Sequence, residues 1–200
     1  MEQSFHVAAA MAEESKKTLF TALELLTDFS EEKAQKVSDL ETVVDHYEDQ
    51  LGSYLVKLSR KNLNSHDSHT LSIVLHCIGD FERISDHAIN IMEAAVEMNK
   101  KQLAFSKKAE GELKVFCDAI RDIVNSSYDV FINQDLKKAQ MIEPLEEVID
   151  ELNQELKKRH IRRLRNGKCT IELGFILSDI TTSLERVADH CSNISVCVTQ

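Results

Sequence analysis

The stretch FERISDHAIN at residues 81–90 recurs, altered but recognisable, as LERVADHCSN at residues 184–193. Each copy sets Glu, Asp and Asn four apart: Glu82, Asp86 and Asn90, then Glu185, Asp189 and Asn193. Side chains four apart on an α-helix stack on one face, so each copy reads as a helix carrying an acidic stripe. The copies lie 103 positions apart (185 − 82). A second pair follows in the same order, LETVVD at 40–45 and LEEVID at 145–150, 105 positions apart (145 − 40). The expected helix starts agree at that offset, Ser30 with Asp135, as do Ala34-Gln35 with Ala139-Gln140. Ordered matches at nearly equal offset mark an internal duplication. The expected organisation is two three-helix repeats, residues 1–102 and 103–200.

Turn residues are scarce. Five Gly and one Pro in 200 residues leave too little punctuation for a β-sandwich or an α/β fold, so the class is all-α. Helices are expected over about 4–28, 30–63, 68–100, 106–132, 135–165 and 170–198, with Ser30 and Asp135 as N-caps and RNGK ending the fifth. Six helices of ~30 residues, each ~45 Å long, make an elongated bundle. Pro144 lies inside the fifth pattern, where it either kinks the helix or sits in the first turn of one that restarts.

The formal charge of −10 argues against general nucleic-acid binding, because a phosphate backbone needs a positive surface. It suits cations instead. Cys77, Cys117, Cys169, Cys191 and Cys197 form no C-x-x-C pair and read as reduced core residues of a cytoplasmic protein. No secretory signal opens the chain, and no apolar run reaches the ~18 residues that a membrane span needs.

Within each repeat, the second and third helices each carry Glu-x-x-x-Asp: Glu41/Asp45 with Glu82/Asp86, and Glu146/Asp150 with Glu185/Asp189. Consecutive helices joined by a short loop run antiparallel and touch, so these stripes can converge. Like charges four apart cost ~0.2–0.5 kcal/mol per pair, and facing stripes cost more unless a cation lies between. Hard divalent or trivalent ions bind carboxylate oxygen well, with Asn90 and Asn193 as further candidate ligands. His87 and His190 stand ~100° round the helix, outside the ligand stripe. The plainer alternative is a solvated edge of the bundle, with Arg83 and Arg186 each neutralising a carboxylate on an adjacent helix.

DFERISDHAINI and SLERVADHCSNI, each preceded by a helix bearing LETVVD or LEEVID, resemble the paired acidic signatures of PhoU-type domains across almost the whole chain. That resemblance implies two tandem three-helix bundles binding multinuclear metal clusters, typically iron or zinc, in regulation of phosphate uptake and signalling. It places Glu41, Asp45, Glu82 and Asp86 at one cluster and Glu146, Asp150, Glu185 and Asp189 at the other. Residues 159–194 are similar to the PhoU-like cytosolic portion of bacterial sodium/phosphate cotransporters. The implied role is a regulatory part of such a cotransporter; the alternatives are a free-standing PhoU-type regulator and a metal-free helical adaptor. Where PhoU motifs usually read ERIGD, Ser85 and Ala188 replace the Gly. The expected partner is a phosphate transporter's membrane domain or a phosphate-signalling protein, with a homodimer also admitted.

Other signals are weaker. KKRHIRRLRNGK at 157–168 suits a helix C-terminus and offers Lys157, Lys158, Arg159, Arg162, Arg163 and Arg165 to an anionic membrane surface. HDSH at 66–69 reads as a polar linker, and His76 and Asp179 occupy matching places from which either could approach its cluster. No Glu stands three positions before any of the eight His, which argues against a carboxylate-bridged di-metal enzyme. The expectation is a non-enzymatic protein.

Overall fold

Helix follows helix because local chemistry starts and stops each one. The computed structural model describes residues 1–199. Its helices are α1 (Glu2–Leu25), α2 (Glu31–Leu58), α3 (Ser65–Lys100), α4 (Lys107–Asn133), α5 (Leu136–Ala139), α6 (Ile142–Arg165) and α7 (Ile171–Thr199). Ser30 accepts the Lys33 amide at 3.1 Å to open α2, and Ser106 accepts that of Ala109 to open α4. Asp135 accepts the amides of both Lys137 and Lys138. At the end of α6, Gly167 adopts φ +65, a left-handed turn that costs glycine nothing. There the amides of Gly167 and Lys168 reach back to the carbonyls of Leu164 and Arg163.

Of the two arrangements open to Pro144, the restart is the one found: the fifth helix is divided into the single turn α5 and the long α6, with Pro144 in the first turn of α6, where its missing N–H costs no helical bond. HDSH is not a linker: Asn64 caps α3 by accepting the Asp67 amide at 2.8 Å, so His66 and His69 lie on exposed opening turns.

Helices α1, α2 and α3 pack on one another, as do α4, α6 and α7, and the two groups join chiefly through α3 against α7. Aromatic rings cross the junction. Phe81 of α3 is fully buried and meets the edges of Tyr128 and Phe131 of α4, each at 5.1 Å between centroids. Phe5 of α1 stacks on Phe131 at 5.0 Å. Below them runs a buried hydrogen-bond chain, in which the Tyr128 hydroxyl donates to Ser15 and the Ser15 hydroxyl donates to the Phe81 carbonyl. All five cysteines are free thiols, but only Cys77, Cys117 and Cys191 are buried; Cys169 and Cys197 are half-buried at helix ends. Among the described residues, no helix is long and apolar enough to cross a membrane.

Candidate metal centres

The acidic stripes of α2 and α3 lie side by side, as do those of α6 and α7. Glu41, Glu82, Asp86, Glu146, Asp150, Glu185 and Asp189 are half-buried, and Asp45 is exposed. A groove of about 550 Å³ is lined by Glu41, Asp86, His87 and Asn90. Its counterpart, about 380 Å³, is lined by Glu146, Asp189, His190 and Asn193. Corresponding residues thus line both grooves.

Crowding shows in the electrostatics. Burial, then the charges of Asp45 and Asp86, push the Glu41 carboxyl above its ordinary value. Glu82 rises through burial and Asp86, against the pull of Arg83. In the other half, burial raises Glu146 together with Asp150 and Asp189, and raises Asp150 together with Glu185 and Asp189. Asp86 and Asp189 therefore act on carboxylates of their own helix or the facing one from the centre of each set. Lost solvation and like charge both favour the protonated form.

Half of the eight carboxylates have a cationic neighbour. Arg83 reaches Asp86 at 3.3 Å and Glu82 at 3.6 Å, and Arg186 reaches Asp189 at 3.1 Å. These arginines serve their own helix, not an adjacent one as the solvated-edge alternative requires. Glu185 accepts from Asn153 at 2.8 Å and faces Lys157 at 3.4 Å. Glu41, Asp45, Glu146 and Asp150 pair with no cation among the described residues. Among those residues, no three His, Cys, Asp or Glu side chains come close enough to share one ion. The stripes are adjacent without closing on a common point.

The donor set nevertheless fits a hard cation. It is carboxylate oxygen along half-buried grooves, and the raised proton affinities of Glu41, Glu82, Glu146 and Asp150 are ones that a positive charge would reverse. The guanidiniums of Arg83 and Arg186 are 62% and 63% exposed, so their ion pairs are worth only ~0–1 kcal/mol and can be displaced. In metal-free protein the sign is fixed. A carboxyl with a raised folded value contributes stability below its ordinary value and loses it as the pH rises through the raised one. For Glu41 and Glu146 that loss begins above 4.5. Glu41→Gln and Glu146→Gln should each raise the metal-free Tm by roughly 1–2 °C at neutral pH, after allowance for solvent screening. The gain should vanish near pH ~4, where the carboxyls are protonated. Equal gains at both pH values in thermal melts would show that charge is not the cause.

Neighbouring residues absent from the sequence motifs complete the picture. Glu48 of α2 adds its charge to Glu82, and at the matching place in α6 stands Asn153, bonded to Glu185. Their common signal is a third position on the α2 and α6 stripes, seven after Glu41 and Glu146. Asp80 accepts from His190 at 2.8 Å and from the Asn193 amide at 3.4 Å, joining α3 to α7. His87 and His190 meet there at 5.7 Å, and burial followed by the His190 charge lowers His87. His76 and Asp179 are exposed on their helices and line neither groove. Among the basic residues, Lys157, Arg159 and Arg163 are held by Glu185, Glu155 and Glu112, leaving Lys158, Arg162 and Arg165 facing solvent.

Residues 9–95 and 113–198 both match the family model described as the PhoU domain. The phosphate-specific transport system accessory protein PhoU homolog 1 of Thermotoga maritima is 25% identical over 179 residues, 89% of this chain and 76% of that protein. The PhoU homolog of Deinococcus radiodurans is 21% identical, over 90% of this chain and 83% of its own length. The crystal structure of PhoU from Pseudomonas aeruginosa superposes with a TM-score of 0.91 at 20% identity, covering 98% of this chain and 94% of that one. The phosphate transport system regulatory protein PhoU of Streptococcus pneumoniae gives 0.85 at 22%, covering 99% and 91%. The fold is shared with both.

Proposed function

This chain belongs to the PhoU family, and we propose that it regulates phosphate transport by binding, without catalysis, as an accessory protein in the cytoplasm. The match of both halves to one family carries this proposal. The relatives named above belong to phosphate-specific transport systems, which favours a free-standing regulator over the cytosolic part of a sodium/phosphate cotransporter. Its two repeats, residues 1–102 and 103–200, would each present one acidic groove.

Each groove is a site for divalent or trivalent metal, iron or zinc by family resemblance. Glu41, Asp45, Glu82 and Asp86 would hold it beside one, and Glu146, Asp150, Glu185 and Asp189 beside the other, with Asn90 and Asn193 as neutral oxygens, once their side chains draw in from the spacing they have here. When bound, the metal supplies positive charge. The chain supplies carboxylates from two helices, so their relative position depends on how that charge is balanced. A transporter or phosphate-signalling partner that binds one arrangement better than another would respond to it.

The test is phosphate uptake in a bacterium lacking its own PhoU-type accessory protein. Expression of this chain should restore restraint of labelled-phosphate uptake at high phosphate, equally with and without sodium. Restraint that needs sodium would favour the cotransporter role. No restraint, from a protein shown to be folded, would leave the helical adaptor.

A further inference from the structure

The α3–α7 junction has a register fixed by its polar contacts. Lys101, at the end of α3, pairs at 2.6 Å with Glu172 in the first turn of α7. Asp80, in the first half of α3, meets His190 and Asn193 near the end of α7. The two helices therefore run antiparallel. One turn back from Asp80 lies Cys77, and one turn on from Asn193 lies Cys197, so the two cysteines come opposite each other. Cys77 is wholly buried, whereas Cys197 is half-buried and reachable from solvent. The same last turn of α7 is already held on another side, where the Ser195 hydroxyl donates to the Ala139 carbonyl at 3.0 Å.

We propose that Cys77 and Cys197 are a site of reversible oxidation, at which a peroxide produces a disulfide that staples the last turn of α7 to α3. The two thiols have unequal parts. The neighbouring Cys77 thiol, helped by His76, lowers Cys197 to about 7 against the opposing effects of burial and Asp80. Cys77 is pushed strongly upward by its tie to Cys197 and by burial, so it stays a thiol. Thiolate character and access together make Cys197 the attacking sulfur.

The chemistry balances. The Cys197 thiolate attacks one peroxide oxygen, forming S–O as O–O breaks, and hydroxide leaves. The Cys77 sulfur then attacks the resulting sulfenic acid, forming S–S as S–O breaks, and the departing hydroxide carries off the Cys77 proton as water. Each thiol gives up one electron in net terms, and the peroxide takes both. A dithiol reductant reverses the step.

The experiment treats the purified full chain with hydrogen peroxide, blocks free thiols with N-ethylmaleimide, and maps peptides without reduction. The expected result is a loss of two labelled thiols and one cross-linked pair containing Cys77 and Cys197. Closing so long a loop should also raise the Tm by roughly 5–15 °C, reversed by dithiothreitol. Cys197→Ser should abolish both changes, and Cys77→Ser should leave a Cys197 sulfenic acid trapped by dimedone. Should either variant fail to fold, the wild-type peptide map alone decides. Five labelled thiols after treatment, a bridge through Cys169, or a bridge between two chains would each overturn the proposal.

Discussion

Phe81→Ala is expected to lower the unfolding free energy by about 4 kcal/mol and the Tm by roughly 10 °C. Phe81 is wholly buried where α3 of the first half meets α4 of the second. Its removal takes away a ring and two edge-on aromatic contacts together, the latter adding about 0.5–1.5 kcal/mol each beyond buried area. Tyr128 and Phe131 cannot follow the lost ring, because Phe131 is also stacked on Phe5 and Tyr128 is tied to Ser15. A cavity therefore remains. Phe81→Leu, which keeps most of the volume, should cost about 1.5 kcal/mol. Tyr128→Phe should cost about 1 kcal/mol, since it removes one hydroxyl while Ser15 keeps its bond to the Phe81 carbonyl. Chemical denaturation with unchanged m-value would measure all three. A loss below about 1 kcal/mol for Phe81→Ala would mean that the halves meet without a shared core.

Local chemistry was legible in the sequence; contacts between distant helices were not. Ser30, Asp135 and the glycine of RNGK act through hydrogen bonds to neighbours a few residues away, so their types and spacing suffice to place helix ends. Asn64 escaped because the turn it opens is polar on every side, and an exposed turn carries no apolar period. The acidic stripes were visible as far as both repeats keep the same residue type. Glu48 and Asn153 occupy the next turn of each stripe but differ chemically, so matching one half to the other passes over them. Asp80 was hidden for a stronger reason. Its counterpart one repeat later is Ser183, and its bonds to His190 and Asn193 exist only once α3 lies against α7. The direction of Arg83 and Arg186 was likewise beyond reach. Each had carboxylates on two helices to choose from, and the choice of its own helix is a matter of rotamer and solvent, which spacing does not encode.

Parent protein purified without an affinity tag is expected to retain metal and an Asp86→Ala, Asp189→Ala double variant to lose it, the affinity falling by more than about 100-fold. These two positions are chosen by the electrostatics of the grooves. Asp86 raises both Glu41 and Glu82, and Asp189 raises both Glu146 and Asp150, so each lies nearest the middle of its set. Elemental analysis and anomalous scattering from crystals of both proteins would measure the difference. Unfolding is separable from ligand loss by sign. In metal-free protein, removing either aspartate relieves like-charge repulsion and frees only an exposed arginine, so the variant should melt no lower than the parent at neutral pH. Added metal should then raise the Tm of the parent, because a ligand bound only to the folded state stabilises it, and leave the variant unmoved. Equal metal content in parent and variant would place the ions elsewhere. No metal in either, with the double variant melting higher, would mean that the carboxylates stand uncompensated and that the grooves serve a basic partner instead; a lower-melting variant would make Arg83 and Arg186 the lasting counter-charges.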